Sequence, residues 1–343
     1  MDTTRQSRPM AAWVVETPGP MPTRPLARVE RRVSDPSGAE LLVAVEACGI
    51  CRTDLHLAEG DLAPRRPGTT PGHQVVGRVA AVGPATERFT VGDRVGAAWL
   101  RSTCGECRWC RSGRENLCPA STYTGWDADG GFAEYILVPA PFAYRLPEDL
   151  PATALAPLLC AGIIGYRALA RTNLPAGGRL GIYGFGSSAH LVAQIALARG
   201  AELFVASRGE GDRALALRLG ASWAGAAAER PPVALDGAIV FAPAGELVPV
   251  ALEAVGPGGT VVLAGIHMST IPAMEYDDLL FGERDLRSVT ANTRRDGEEL
   301  LRLAERLGIQ PTVTTYPFDA ADRALTDLAA GRLSGSAVLV VDR

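Results

Sequence analysis

Six of the seven cysteines fall into two groups that have the character of metal ligands. Four of them, Cys104, Cys107, Cys110 and Cys118, share the short segment CGECRWCRSGRENLC. Gaps of two, two and seven residues let four thiolates converge on one tetrahedral ion. The spacing therefore predicts that residues 104–118 fold as a lobe around a structural zinc ion.

Two other chemistries could use these four cysteines. Pro119 follows Cys118 as in bacterial ferredoxins, but a ferredoxin has three residues before its last cysteine and this chain has seven. Disulfides require an oxidising compartment. Residues 1–10 lack the apolar stretch of a signal peptide and are predicted to form a loose polar tail, so we expect a cytoplasmic protein with reduced thiols.

The second group of potential ligands is scattered along the chain. It consists of Cys51 in ACGICRTDLH, His73 in PGHQVVG and Cys160 in APLLCAG. Two thiolates and one imidazole would leave the fourth position of a tetrahedral zinc ion open, as in catalytic sites. A cysteine in an apolar run is also a common buried residue. Spacing alone therefore leaves a catalytic zinc site and ordinary core packing both open.

The pattern of apolar residues changes in the middle of the chain. The 343 residues, 47% of them hydrophobic, are enough for about two domains. Between Ala11 and Val138, short apolar runs separated by Gly, Pro and Asp predict antiparallel β structure. From Pro151, apolar strands alternate with helices, which predicts a parallel, doubly wound sheet. A net charge of -4, no basic stripe and no apolar segment of membrane-spanning length argue for small-molecule partners and against nucleic acid or a membrane.

A glycine turn follows the predicted strand LGIY. Gly184, Gly186 and Ala189, with Ser187 and Ser188 among the residues between them, form G-x-G-x-x-A before a predicted helix. Gly184 permits a tight turn, Gly186 lets the backbone approach a pyrophosphate, and the helix N-terminus faces the anion. The pattern predicts a dinucleotide site, and the alternative is a turn that binds no nucleotide.

The residues at the end of the next strand select the dinucleotide. An acidic side chain there would accept hydrogen bonds from the adenosine ribose of NAD(H), but this chain has Ser207 and Arg208. A 2'-phosphate would gain a charge-assisted hydrogen bond from Arg208 of about 1.5–3 kcal/mol. We therefore expect NADP(H) to be favoured over NAD(H), unless Arg208 stacks on adenine or points into solvent.

In their order along the chain, these segments resemble the zinc-dependent medium-chain alcohol dehydrogenases. The similarity runs through AAWVVETPGP, CGICRTDLH, PGHQVVGRVAAVG, GDRVG, the four-cysteine segment, GGFAEY, APLLCAG, the glycine turn and LAGI. It implies an α/β protein whose GroES-like, mostly β catalytic domain, residues 1–161 plus 291–343, holds two Zn²⁺ ions. A Rossmann-type domain with a doubly wound parallel sheet, residues 162–290, would be inserted. Relatives are often dimers or tetramers, so a homo-oligomer is expected.

The resemblance also assigns the catalytic zinc ligands. Cys51, His73 and Cys160 fall on the three ligand positions of the family, and Asp54 resembles the carboxylate that orients the ligand histidine. Gln74 departs from the pattern, because the family usually has Glu after the ligand histidine. Without that negative charge, we expect a bound water or alcohol to be more acidic than in Glu-bearing relatives.

Other residues resemble the proton relay and the cofactor contacts of the family. Thr53 would accept the alcohol proton and pass it through the cofactor ribose to His56 and solvent. Arg52 would contact the pyrophosphate, and Gly265 and Ile266 of LAGI would lie near the nicotinamide. The implied reaction is hydride transfer between a primary or secondary alcohol and a nicotinamide cofactor, in an alcohol dehydrogenase or aldehyde reductase.

Trp99, just before the four-cysteine segment, would line a substrate pocket or belong to the core. Two other functions remain compatible with the sequence. One is a zinc-free reductase of quinones or enones on the same fold, although retention of all seven ligand candidates argues against it. The other is a non-enzymatic protein that senses metal or redox state through the four-cysteine lobe.

Overall fold

The computed structural model describes residues 7–341, which divide into two units by their internal contacts. The first unit contains residues 7–160, 292–298 and 313–341, and the second contains residues 161–291 and 299–312. Within the described part of the chain, no single helix has the length and apolar character needed to cross a membrane. The bent pair Ala152–Leu159 and Ala161–Arg171 meets that test by length and composition.

Residues 7–160 form mostly antiparallel β structure, as predicted for Ala11 to Val138. The strands are β1 (Ser7–Val15), β2 (Leu26–Ser34), β3 (Glu40–Ile50), β4 (Gln74–Val82), β5 (Arg94–Ala97), β6 (Leu100–Ser102), β7 (Thr122–Tyr123), β8 (Tyr135–Pro139) and β9 (Tyr144–Arg145). The α-helices are α1 (Arg52–Glu59), α2 (Arg108–Arg111) and α3 (Ala152–Leu155). Short 3-10 turns are Met21–Thr23, Glu115–Leu117, Ala140–Phe142 and Ala156–Leu159.

The start of the described chain differs from the prediction. Ser7 to Met10 belong to β1 and pair with Arg31 to Ser34 of β2, so the expected loose tail is wrong for these four residues. Pairing with a distant strand satisfies their backbone groups, which local polarity does not reveal. Residues 1–6 of the predicted tail lie outside the described residues.

Residues 161–312 alternate helices and strands. The elements are α4 (Ala161–Arg171), β10 (Arg179–Tyr183), α5 (Ser187–Ala198), β11 (Glu202–Ala206), α6 (Glu210–Leu219), β12 (Trp223–Gly225), β13 (Leu235–Val240), α7 (Leu247–Ala254), β14 (Val255–Leu263), α8 (Tyr276–Leu279), β15 (Asp285–Ser288) and α9 (Arg294–Leu307). The six strands pair in parallel in the order β12-β11-β10-β13-β14-β15. The strand order reverses between β10 and β13, which is the topology of a Rossmann-type sheet and confirms the predicted doubly wound domain.

A seven-stranded sheet organises the first unit. The end of the chain adds β16 (Val313–Pro317), α10 (Ala321–Ala329) and β17 (Ser336–Val340). The order is β16-β17-β3-β4-β5-β9, with β8 also paired to β3. Because β17 pairs antiparallel with β3, the C-terminal segment completes a sheet that the N-terminal segment begins.

Strand β3 is packed on both faces. Leu41, Val43 and Val45 join the main core cluster, whereas Leu42 packs in a second cluster with Met10. Successive side chains of a strand point to opposite faces, so the two clusters lie on the two sides of the sheet. The strand whose end carries the candidate site is therefore held firmly from both sides.

Candidate metal centres and nucleotide site

Strand register brings the scattered ligand candidates together. Gly49 near the end of β3 pairs with Gln74 at the start of β4, so Cys51 and His73 leave the two strands at the same edge of the sheet. Cys51 Sγ lies 3.3 Å from His73 Nε2. Cys160 joins them, and the donor atoms of the three residues lie within 4.8 Å of one another.

The start of helix α1 fixes this arrangement. Cys51 is the N-cap, and its Sγ accepts the Thr53 N–H at 3.4 Å. The Asp54 carboxylate accepts the N–H of Cys51 and the N–H of Gly72, each at 2.9 Å. Asp54 Oδ1 also lies 3.4 Å from His73 Nδ1, a contact that does not have hydrogen-bond geometry. One buried carboxylate thus holds the backbone beside both ligand candidates.

The electrostatics of the cluster suit metal binding. A hydrogen bond from Cys160 lowers the pKa of Cys51 well below its usual value, against burial and with help from His73. The same bond and burial raise the pKa of Cys160. Burial disfavours a charge on His73, but Cys51 and Asp54 outweigh it and raise the pKa of His73 to about 10. These are protons that a divalent cation replaces, because thiolate and neutral imidazole are the forms that bind metal.

The two candidates for a proton relay lie on successive turns of α1. Thr53 is buried next to Cys51, and His56 lies one turn further along with 13% of its side chain exposed. His56 Nδ1 lies 2.9 Å from Asp61 Oδ2. Arg52 is exposed at the first position of the helix. The roles assigned to these residues remain predictions.

Gln74, the departure from the family pattern, is a buried amide. It is 2% exposed and packs on Gly49, where a Cβ would lie 2.8 Å from Gln74 Cδ. Its Nε2 has no hydrogen-bond partner within the described part of the chain. A neutral side chain therefore occupies a buried position directly after the ligand candidate His73.

An aromatic stack stands against His73. The Trp99 ring meets the His73 ring edge to face, with 4.9 Å between the centroids. Tyr123 and Trp126 stack on Trp99 at 4.9 and 6.0 Å, and Trp126 Nε1 donates to the Ala63 carbonyl at 2.9 Å. Trp99 thus belongs to a three-ring wall beside the ligand candidates, and its contact with substrate stays a prediction.

The four-cysteine lobe has the dimensions of a single-ion site. Sulfur to sulfur distances are 3.5 Å for Cys118 and Cys104, 3.6 Å for Cys107 and Cys110, and 4.0 Å for Cys104 and Cys110. A tetrahedron with zinc to sulfur bonds of about 2.3 Å has edges of about 3.8 Å. A disulfide needs about 2.05 Å, and all seven cysteines are free thiols. Backbone N–H groups of Glu106 and Cys107 lower the pKa of Cys104 to about 7, which favours its thiolate.

The glycine turn is shaped for a ligand that approaches the backbone. Gly184 has φ of +86°, and a Cβ there would lie 2.9 Å from the Ala242 nitrogen, so the position requires glycine. A Cβ at Gly186 would meet nothing within 4 Å. Ser187 and Ser188 begin α5, and Gly186 is its N-cap, so the open space beside Gly186 adjoins the N-terminus of the helix. The chain leaves a cradle of the kind that a pyrophosphate fills.

The first turn of α6 places an acidic residue, Asp212, against the end of β11, and the sequence did not predict this contact. Gly184 N–H donates to the carbonyl of the last β11 residue at 2.8 Å, so this end adjoins the glycine turn. Ser207 follows β11, and its hydroxyl donates to Asp212 Oδ2 at 3.0 Å. Arg213 donates to the carbonyls of Ser207 and Arg208 at 2.8 and 2.9 Å. No local sequence signal marks this contact, because Gly209 has the ordinary extended backbone of a helix N-cap.

Gly265 and Ile266 follow β14. They line an open pocket of about 300 Å³ together with Ser288 and Val289. Ile266 is 52% exposed. Their contact with nicotinamide remains a prediction.

Known families match both parts of the chain. A family model described as "Alcohol dehydrogenase GroES-like domain" matches residues 37–148, and one described as "Zinc-binding dehydrogenase" matches residues 189–306. A Mycobacterium tuberculosis relative, "Probable alcohol dehydrogenase AdhA", is 58% identical and covers 97% of this chain and 97% of its own length. The chain belongs to the zinc-dependent medium-chain alcohol dehydrogenases.

Further relatives of this family agree with that membership. An alcohol dehydrogenase from Geobacillus stearothermophilus is 35% identical over 88% of this chain and 91% of its own length. The solved structure of a cinnamyl alcohol dehydrogenase from Sorghum bicolor matches with a TM-score of 0.88 at 28% identity, over 97% of this chain and 98% of that one. As a zinc-dependent alcohol dehydrogenase with a GroES-like and a Rossmann-type part, the chain is an NAD(P)-dependent oxidoreductase that acts on small alcohols or aldehydes.

Proposed function

We propose that the chain is a two-zinc enzyme that oxidises primary or secondary alcohols, or reduces the corresponding aldehydes, with NADP(H) preferred over NAD(H). The convergence of Cys51, His73 and Cys160 within 4.8 Å carries the proposal. Two thiolates and one imidazole form a catalytic donor set because they leave a coordination position for the substrate. Cys104, Cys107, Cys110 and Cys118 would hold the second, structural ion.

The residues around the three proposed catalytic ligands have different roles in the reaction. Bound to the three ligands, zinc supplies Lewis acidity that lowers the pKa of an alcohol hydroxyl. Asp54 keeps the ligands converged through its bonds to the neighbouring backbone. In this proposal Thr53 accepts the hydroxyl proton as it releases its own, and His56, hydrogen-bonded to Asp61, takes up the released proton and delivers it to solvent. Trp99 forms an apolar wall for the organic part of the substrate.

The cofactor preference rests on the end of β11 and on the glycine turn. Arg208 is exposed there and can donate charge-assisted hydrogen bonds to a 2'-phosphate. Open space at Gly186 and the N-terminus of α5 suit the pyrophosphate. The proposed cofactor contacts are Arg52, Gly184, Gly186, Ser187, Ser188, Ser207, Arg208, Gly265 and Ile266.

The proposal also includes the domain bounds, the cellular location and the oligomeric state. We assign the catalytic domain to residues 1–161 plus 291–343 and the nucleotide domain to residues 162–290. Reduced thiols in both ligand groups suit a cytoplasmic location. Because relatives in the family are often dimers or tetramers, we expect the chain to form one of these two homo-oligomers.

Metal analysis combined with a substrate panel tests this function. We expect two zinc ions per chain, turnover of alcohols, and a lower KM for NADP than for NAD. Cys51→Ser should lose one zinc ion and reduce alcohol oxidation by at least about 100-fold while the circular dichroism spectrum stays unchanged. The control Cys48→Ala, in the buried cysteine outside both groups, should keep both ions.

Other outcomes overturn the proposal in distinguishable ways. A chain without zinc that reduces enones would be the zinc-free reductase, and a chain with one zinc and no turnover would be a binding protein. A clear preference for NAD would refute the cofactor assignment alone.

A further inference from the structure

The ribose side of the nucleotide site is built around Ser207. In a doubly wound sheet, the residue that follows the second strand faces the adenosine ribose of a dinucleotide whose pyrophosphate lies on the glycine turn. Ser207 holds that place, and its N–H donates to the Gly225 carbonyl at 3.0 Å. The position of its backbone is therefore fixed by strand pairing, and only its hydroxyl can adjust to a cofactor.

The hydroxyl proton of Ser207 is already used in a hydrogen bond within the protein. It donates to Asp212 Oδ2 at 3.0 Å, and a serine hydroxyl has one proton and two lone pairs. What Ser207 offers to a cofactor is therefore an acceptor. A ribose 2'-hydroxyl can donate to that acceptor, whereas a 2'-phosphate brings only acceptor oxygens and a negative charge.

The local fold keeps Asp212 beside Ser207. Arg213 stabilises the turn by donating hydrogen bonds to the carbonyls of Ser207 and Arg208. A Cβ at Gly209 would lie 3.0 Å from Asp212 Oδ2, so glycine leaves the room that the carboxylate occupies. Burial raises the pKa of Asp212 above its usual value, and the bond from Ser207 and the charge of Arg213 offset only part of that shift.

We propose that Asp212 is a specificity-determining residue that restrains the preference for NADP(H) and keeps NAD(H) usable, acting through the Ser207 hydroxyl. This inference rests on the proposed cofactor use. Arg208 attracts a 2'-phosphate, and Asp212 works against it by orienting Ser207 as an acceptor and by placing a negative charge at the same edge. The opposing effects of Arg208 and Asp212 set the ratio of kcat/KM for NADP(H) to kcat/KM for NAD(H).

The test compares kcat/KM for NADPH and NADH with one aldehyde on the zinc-loaded enzyme. Asp212→Asn removes the charge, and its amide can donate to Ser207, so the NADPH to NADH ratio should rise about tenfold. Glu210→Gln is the matched control, because it removes an exposed charge from the same first turn of α6. Its ratio should stay within about twofold of the wild type.

A second arm tests the route through Ser207. In a Ser207→Ala background, Asp212→Asn should change the ratio less than it does alone, and an undiminished effect overturns the role of the hydroxyl. A ratio within about twofold of the wild type in Asp212→Asn, or equal losses with both cofactors, overturns the proposal. Asp212→Ser replaces the first variant if that variant does not fold. A wild-type enzyme that uses neither cofactor refutes the proposed function instead.

Discussion

Gln74 is neutral at a position where the family usually has the negatively charged Glu. It is buried directly after His73, so a carboxylate placed there would act on the catalytic site with little screening. A nearby negative charge stabilises protonated groups and raises their pKa. We expect Gln74→Glu to move the pH profile of kcat/KM for alcohol oxidation upward by about one unit. Gln74→Met, an uncharged change of similar size, should leave the profile in place, and an unmoved profile in the Glu variant contradicts the idea.

Single residues were predictable where their chemistry is distinctive. The close spacing of Cys104 to Cys118 indicates a metal lobe by itself, whereas nothing local connects Cys160 with Cys51, and only the family resemblance joined them. Asp212 escaped prediction because its bond to Ser207 depends on how a turn closes. Sequence spacing does not encode that geometry.

Elements with strong apolar character were predicted well. The parallel strands β10, β11, β13 and β14 and the helices α5 and α6 all lie where the alternation of apolar runs placed them. The first four residues of β1, Ser7 to Met10, were expected to be a loose tail, and α1 was not predicted as a helix. Helix α1 begins with a thiol and a carboxylate as caps, a less common set than the usual hydroxyl caps.

One ion pair ties the 3-10 turn of the lobe to the start of α9. Glu115 accepts the Arg294 N–H at 2.7 Å and the Arg294 guanidinium at 2.7 Å. Glu115→Gln should lower the free energy of unfolding by about 2 kcal/mol, less than for a fully buried pair because Arg294 is partly exposed. Urea denaturation at pH 7 measures the change. The control Glu298→Gln, at 4.0 Å from the exposed Arg88, should cost less than about 0.5 kcal/mol.

The stabilisation by Glu115 should depend on pH in a defined direction. Burial raises the pKa of Glu115, but Arg294 outweighs burial and lowers it below its usual value. The stabilisation is therefore full above the unfolded pKa of about 4.3 and is lost as the pH falls through the folded value. The gap between the wild type and Glu115→Gln should close in acid. A gap as wide in acid as at neutral pH contradicts the assignment.

At the scale of the whole molecule, the division into a β part and a doubly wound part was readable from the apolar pattern. The return of the C-terminal segment was not, because β17 pairs with β3 across almost the full length of the chain. Local periodicity predicts a strand but not its distant partner. Only the resemblance implied that the last segment belongs to the first domain.

The two metal groups should contribute differently to the stability of the whole molecule. Helix α2 of the lobe has no buried residue, so the lobe has little core of its own and depends on its metal to fold. Cys160 instead follows a turn whose four residues, 156–159, are all buried. We expect Cys118→Ser to lose one zinc ion and to lower the Tm by at least about 5 °C. Cys160→Ser should also lose one ion, abolish alcohol oxidation and change the Tm by less than about 2 °C.

Calorimetry with metal analysis on the same samples distinguishes these effects. Both variants replace one sulfur by one oxygen, so each serves as the size-matched control of the other. If the Tm falls equally in both, the lobe has no special structural role, and if it falls only in Cys160→Ser, the two assignments are exchanged. Residual alcohol oxidation in Cys118→Ser at low temperature is expected, because the donors Cys51, His73 and Cys160 are supported by the sheet and not by the lobe.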